Sequence, residues 1–280
     1  MGQRIAATLV LISLAVPARA LDVTTCGALI AADEVGTVQA DFDCVDGPPD
    51  NPYFGIVLQR GARLDLNGHV ITFRQNATTI APVYCESSCE VHGPGTLVSS
   101  PAGGAGIWAN HGRRVSIQDL DISGFTTGIV APRGRLALTN VSIDATNFGI
   151  VAARRLELDH VDVILPGGPF GIAGRVGECI GATQPGGRVT GSNVSVTGCQ
   201  HGVYGTSRVQ ISALSVSASY IGVFSAGTTE LTDSTVTGSE YADLYSGRPP
   251  VLVNTTCDHS LQYHRQASAP AGPWGVCAND

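Results

Sequence analysis

The chain has 280 residues, a net charge of −7 and sixteen basic residues, every one of them arginine. The absence of lysine excludes Schiff-base and P-loop chemistry, and the acidic balance argues against nucleic acid or an anionic membrane as the main partner. Charged residues are only 14% of the chain, and its length is ample for one large core.

In chain order, residues 1–20 read as an export signal. Arg4 is the positive start, "IAATLVLISLAV" (5–16) the apolar centre and "ARA" (18–20) a small-x-small cleavage site. The run is too short and too close to the start for a typical spanning helix, and no later segment is long and apolar enough to cross a bilayer. Leu21 rather than Cys follows the expected cut, which argues against a lipid anchor. A secreted or periplasmic protein is expected. Without Arg4 and Arg19, fourteen arginines face 23 acids, a net charge of −9. Eight cysteines follow: Cys26, Cys44, Cys85, Cys89, Cys179, Cys199, Cys257 and Cys277. An even number in an exported chain reads as disulfides. Nearest neighbours would pair as 26–44, 85–89, 179–199 and 257–277, although the sequence leaves the connectivity open. No CxxC or zinc-type Cys–His spacing is present.

The body of the chain repeats. A glycine before Ile or Val recurs at Gly106, Gly128, Gly149, Gly171, Gly202 and Gly222, in steps of 22, 21, 22, 31 and 20 residues. An earlier member is Gly55, and a decayed copy is "ADLY" (242–245). Within each copy the apolar residues alternate. Val115, Ile117, Leu120 and Ile122 match Leu136, Leu138, Val141 and Ile143, then Leu156, Leu158, Val161 and Val163. Period two over three to five residues predicts short strands, about three per copy. Such strands bury a face only by stacking in parallel on the next copy, about 4.8 Å away. The expected fold is all-β: a single-stranded right-handed parallel β-helix of about nine coils of 20–22 residues. It would run over 51–255, between disulfide-tied caps at 21–50 and 256–280.

"LDLNGHVI" (64–71), "GPGTL" (93–97), the recurring "GI…RL.L.NV.I" and the closing "WGVCAND" (274–280) resemble the pectin-lyase-like superfamily. The likeness is to its exported bacterial β-helix proteins in particular. It covers nearly all of the mature chain and is specific for fold rather than activity. The "NTD", "DD", "GHG" and "RIK" motifs of its polygalacturonases are missing, which argues against that hydrolysis.

In a solenoid the informative unit is the column, one position read across coils. The first column reads Arg63, Arg114, Arg135, Arg155, Arg188, Arg208 and then Glu230, with Arg113 and Arg154 beside it. Forked guanidinium groups suit carboxylates, so Arg114, Arg135, Arg155, Arg188 and Arg208 are candidate binding residues for a uronate chain. The competing reading pairs each with a local acid. A second column, Trp108, Val130, Val151, Ala173, Tyr204, Phe224 and Leu244, points outward. There Trp108 is a candidate for stacking on a sugar, against packing under a loop or the C-terminal tail. A third, Asp119, Asn140, His160, Asn193, Ala213 and Thr235, suits a left-handed turn. A fourth places Asp121 and Asp162 two coils apart with Ser142 between them and Asp144 nearby. These three carboxylates are the catalytic candidates, against a merely solvated polar face. An insertion around "RVGECIGATQPGGR" (175–188) departs from the repeat and suits either a binding loop or a neutral excursion.

The expected function is a secreted, monomeric β-helix protein that binds an acidic polysaccharide, with cleavage or epimerisation left open. If it is an enzyme, lyase or epimerase chemistry is favoured over polygalacturonase-type hydrolysis. The alternative is a non-catalytic structural or protein-interaction module. No cofactor or bound metal is expected, with Ca²⁺ the one ion the carboxylates suit.

Overall fold

Strands of three to five residues cannot bury one face alone, and here each is covered by the equivalent strand of the next coil. The computed structural model describes residues 20–45, 54–74, 80–111, 113–152, 154–166, 177–264 and 272–280. Residues 1–19 of the export signal, the Gly171–Ala173 copy and the first residues of the 175–188 insertion lie outside the described residues. The described chain forms a parallel β-helix of 24 strands with no helix among them. Every strand pairing is parallel. The exception to this direction is one isolated antiparallel bridge, Leu261 to Pro273.

Three stacks of strands make the walls. The first-strand stack includes Phe54–Leu58, Ala81–Cys85, Ala105–Ala109, Glu178–Ala182, His201–Gly205, Ile221–Ser225 and Ala242–Ser246. Two strands, Arg114–Ala131 and Arg135–Ala152, run past the corners and serve all three walls. The N-terminal segment supplies rungs of its own: Ala20–Val23 pairs with Val35–Val38, which pairs with Arg63–Asp65.

The inward columns are in register and almost free of solvent. Ile107, Ile129, Ile150, Ile180, Val203 and Val223 form one column, each fully buried. Leu120, Val141, Val161, Val194 and Leu214 form another, at 1–2% exposure. Branched side chains pack well on a pleated face, and each fully buried Val, Leu or Ile contributes about 1.5–3 kcal/mol. Phe73 and Phe125, centroids 6.0 Å apart, fill the interior nearer the N-terminus.

The recurring glycine has a steric cause. A Cβ on Gly106 would lie 2.6 Å from Ile122 Cγ2 and 2.8 Å from the Gly128 carbonyl of the next coil. The Asn/Asp column has a conformational one. Asp119, Asn140, His160, Asn193 and Ala213 all have φ between 52° and 57°. The next member is Asp233 rather than Thr235, because Thr235 is in register with Ser215. Asn and Asp tolerate this left-handed corner, and amide–carboxylate hydrogen bonds link Asn140 to Asp119 (2.8 Å) and Asn254 to Asp233 (3.0 Å).

All eight cysteines pair as nearest neighbours: 26–44, 85–89, 179–199 and 257–277. At the C-terminal end the Asp280 carboxylate accepts from the Ser260 hydroxyl and backbone N–H and from the N–H groups of Val276 (2.7 Å) and Cys277 (2.8 Å). Burial alone would raise its pKa, but these hydrogen bonds hold it below the usual range. Buried Asp243 is satisfied in the same way by N–H groups of Ser239, Asp258 and His259.

Candidate functional sites on the rod surface

On five successive coils the turn from the first to the second strand ends on an arginine, and parallel stacking aligns them. Arg114, Arg135, Arg155, Arg188 and Arg208 are direct register partners, rung to rung. Arg63 and Glu230 are not in this line. Arg63 pairs with Glu90 and Glu230 with Gln210, a column two residues further along the strand, and Thr228 follows Arg208. That shift matters chemically, because it sets acids beside the arginines. Arg135 Nη2 donates to Glu157 Oε2, and Arg208 Nη2 donates to Glu230 Oε2 at 2.7 Å. Arg155 Nε lies 2.7 Å from Glu157 Oε1, a charge contact without hydrogen-bond alignment.

The other members are uncompensated. Among the described residues Arg114 and Arg188 have no acidic partner, and neither do Arg154 and Arg248 on the same edge. Two hollows lie between these turns. One is lined by Pro132, Arg133, Gly134, Arg154 and Gln184. The other is lined by Arg188, Thr206, Ser207, Arg208, Gly227, Thr228 and Arg248, among others. Both offer donors and no carboxylate, which suits an anion.

The candidate carboxylates lie around the corner, on the third wall. Asp121, Ser142 and Asp162 are in register, and a shallow hollow there is lined also by Asn140, His160, Asn193 and Ser195. Asp144 is two residues on from Ser142, also exposed. These side chains stand in line along the wall rather than converging. Among the described residues no three His, Cys, Asp or Glu form a metal-holding group. His160 Nδ1 lies 3.0 Å from Asp159. The Ser192 hydroxyl donates to Asp159 at 2.7 Å, which lowers the pKa of that carboxyl.

The outward column of the first wall runs Tyr84, Trp108, Val130, Val151, Gly181, Tyr204, Phe224, Tyr245. Its members at two coils differ from those the repeat predicts. Gly181 follows Val151, because the strand there is Glu178–Ala182 and not the Gly171 copy. Tyr245 follows Phe224, and Leu244 points into the core beside Val223. Trp108 is half-buried at the N-terminal end. At the other end Tyr263 packs edge-on against Phe224 (5.0 Å) and Tyr245 (5.5 Å), so the C-terminal segment covers that part of the stripe.

Two residues that the columns did not single out stand where the insertion rejoins the coil. Glu178 and His201 are register partners. Burial pushes the Glu178 carboxyl up to about 7 and holds the His201 imidazole below its ordinary value. The spacing is ambiguous here: with Gly171 as the repeat position the steps are 22 and 31 residues, and with Cys179 they are 30 and 23, so the long step falls before or after the rung without deciding which.

No protein-family model matches the chain, and no curated protein matches it as a relative.

Proposed function

We propose that this chain is an exported parallel β-helix protein of the pectin-lyase-like kind that binds an acidic polysaccharide along its arginine edge. One observation carries the reading. On a protein of net acidic charge, arginines line two hollows on this edge, and three of the guanidinium groups there, those of Arg154, Arg188 and Arg248, have no acidic partner among the described residues. Like charges about 4.8 Å apart repel, so stability alone does not favour such a line, whereas a polymer of carboxylates compensates it. Binding without cleavage is the form favoured. Asp121 lies seven residues on from Arg114, past the corner at Asp119, about 23 Å along the backbone, so one short substrate segment does not meet both.

The test is a titration with polygalacturonate against neutral dextran, for the wild type and the Arg188→Ser/Arg248→Ser variant. Wild-type binding to the uronate polymer that weakens with salt and falls at least tenfold in the variant supports the reading. No uronate binding, or equal binding by the variant, overturns it. A second reading, a structural or protein-interaction module, draws on the capping of Arg135, Arg155 and Arg208 by Glu157 and Glu230.

A further inference from the structure

The repeat breaks most sharply at one place, the coil that follows the insertion. Gly181 is the only member of the outward column from Tyr84 to Tyr245 without a side chain. Its absence leaves a notch one rung deep between Val151 and Tyr204, about 4.8 Å of column. The notch holds the Glu178 carboxylate. A Cβ placed on Gly181 would run directly into Glu178 Oε2, so the carboxylate lies where the missing side chain would stand.

The surroundings are mostly apolar, with Thr183 Cγ2 3.3 Å from the same Cβ position and its hydroxyl turned to the Ala152 carbonyl. The Tyr204 ring stacks on Phe224 at 4.7 Å and 9°, so one ring face is covered by the next rung. The opposite face looks down the column onto the notch. The His201 ring is 5.6 Å from that of Tyr204, and its Nδ1 is buried without a hydrogen-bond partner. Glu178 itself accepts no hydrogen bond and makes no ion pair among the described residues. Among the described residues the titratable groups facing it are His201 and Tyr204, with Tyr263 beyond. Phe148, Val151, Ile221 and Phe224 complete the neighbouring rungs and carry no charge. The Cys179–Cys199 disulfide fixes the two rungs concerned, one residue after Glu178 and two before His201.

A half-buried carboxylate without a donor, beside an aromatic ring, lacks one thing: a small cation that donates hydrogen bonds. We propose that the Gly181 notch is a binding site for a primary ammonium group, held by the Glu178 carboxylate against the ring of Tyr204. The arginine edge is a separate surface, and this site does not depend on it. An ammonium offers three donors, and its charge offsets the desolvation of the carboxylate. A hydroxyl of the same size offers no charge. The ammonium could belong to an amino sugar or to a lysine side chain.

The experiment uses the full mature chain and follows the Glu178 side-chain carboxyl carbon and the Tyr204 ring by NMR. The probes are n-butylammonium and its neutral counterpart n-butanol. Butylammonium is expected to shift both signals saturably, at least tenfold more tightly at pH 8 than at pH 5.5, because only the ionised carboxylate attracts it. Glu178→Gln is expected to weaken binding at least tenfold. Gly181→Ala, which keeps the charge but displaces the carboxylate, should weaken it at least fivefold. Equal affinity for n-butanol, a flat pH dependence, or unchanged binding by folded Glu178→Gln overturns the proposal. Glucosamine and Nα-acetyl-lysine amide, compared at pH 6.5, distinguish the two sources: tighter binding of either identifies it, and binding of neither overturns the site.

Discussion

Arg135 and Arg155, on successive rungs, share one carboxylate, that of Glu157. The acid sits two residues further along the strand, on the same outward face, and neutralises part of a repulsion that parallel stacking makes unavoidable. Glu157→Gln is therefore expected to have two opposite effects. Unfolding free energy should fall by about 1 kcal/mol, since Arg135 and Arg155 are more than a third exposed and water already screens them. Affinity for polygalacturonate should rise about threefold or more, because two guanidinium groups are released to the ligand. Urea midpoints and binding titrations of the same variant check both, and 0.5 M NaCl should shrink both differences.

Three of the disulfides close loops of 18, 20 and 20 residues and one closes a loop of 4, and loop length orders their contributions. Cys179–Cys199 spans 20 residues and Cys85–Cys89 spans 4. Chain-entropy arguments give about 3 kcal/mol for the former and about 2 kcal/mol for the latter. Replacing Cys179 and Cys199 together by Ala should lower the urea midpoint more than the same change at Cys85 and Cys89. It should also broaden the Tyr204 ring signals, because the rungs of Glu178 and His201 lose their clamp. Equal losses from the two pairs would contradict this ordering.

Much of the architecture was legible because a solenoid writes its geometry into the sequence as a period. The inward alternation at Val115, Ile117, Leu120 and Ile122 reappears as buried columns, and the arginine line from Arg114 to Arg208 reappears rung by rung. Errors arose where a local likeness stood in for register. "GIA" (171–173) looks like the repeat, yet the rung is "ECIGA", in which Cys179 stands at the glycine position and is tied to Cys199. Leu244 was placed outward by its neighbours' pattern, but the register puts Tyr245 there. Glu178 and His201 were not legible as a pair, since their meeting depends on where the insertion rejoins the wall. The Glu157 and Glu230 caps were hidden for a similar reason: they contact arginines 22 residues away in sequence.

The left-handed corner contains one residue poorly suited to it. Ala213 has φ 52°, in line with Asn193 and Asp233, but has no side-chain amide or carboxylate to offset the strain. Ala213→Gly is expected to stabilise the fold by about 1 kcal/mol through relief of the left-handed penalty, reduced by the extra freedom of glycine in the unfolded chain. Ala213→Asn should match or exceed it, and Ala213→Val should destabilise. The ranking is read from urea denaturation, and an Ala213→Val protein as stable as wild type would contradict the φ assignment.

The pH dependence of stability follows from two half-buried groups with opposite signs. Glu178 has its carboxyl raised from 4.5 to about 7, so the folded state holds a proton that the unfolded chain releases. Stability from this group therefore falls as pH rises between about 4.5 and 7, by on the order of 3 kcal/mol in total. His201 is held below 6.5, so the unfolded chain takes up a proton that the folded state refuses. Its contribution falls as pH drops below about 6.5. In wild type the two slopes oppose one another between about pH 4.5 and 6.5, and only the Glu178 slope persists from there to about 7. Glu178→Gln removes the downward slope, so its stability should rise with pH to about 6.5 and then level off. His201→Asn removes the upward slope, so its stability should decline steadily from about pH 4.5 to 7. Urea unfolding of the three proteins between pH 4 and 8 checks the crossing. Parallel profiles for wild type and Glu178→Gln would show that the carboxyl is not desolvated, and would remove the physical basis of its hold on an ammonium ligand as well.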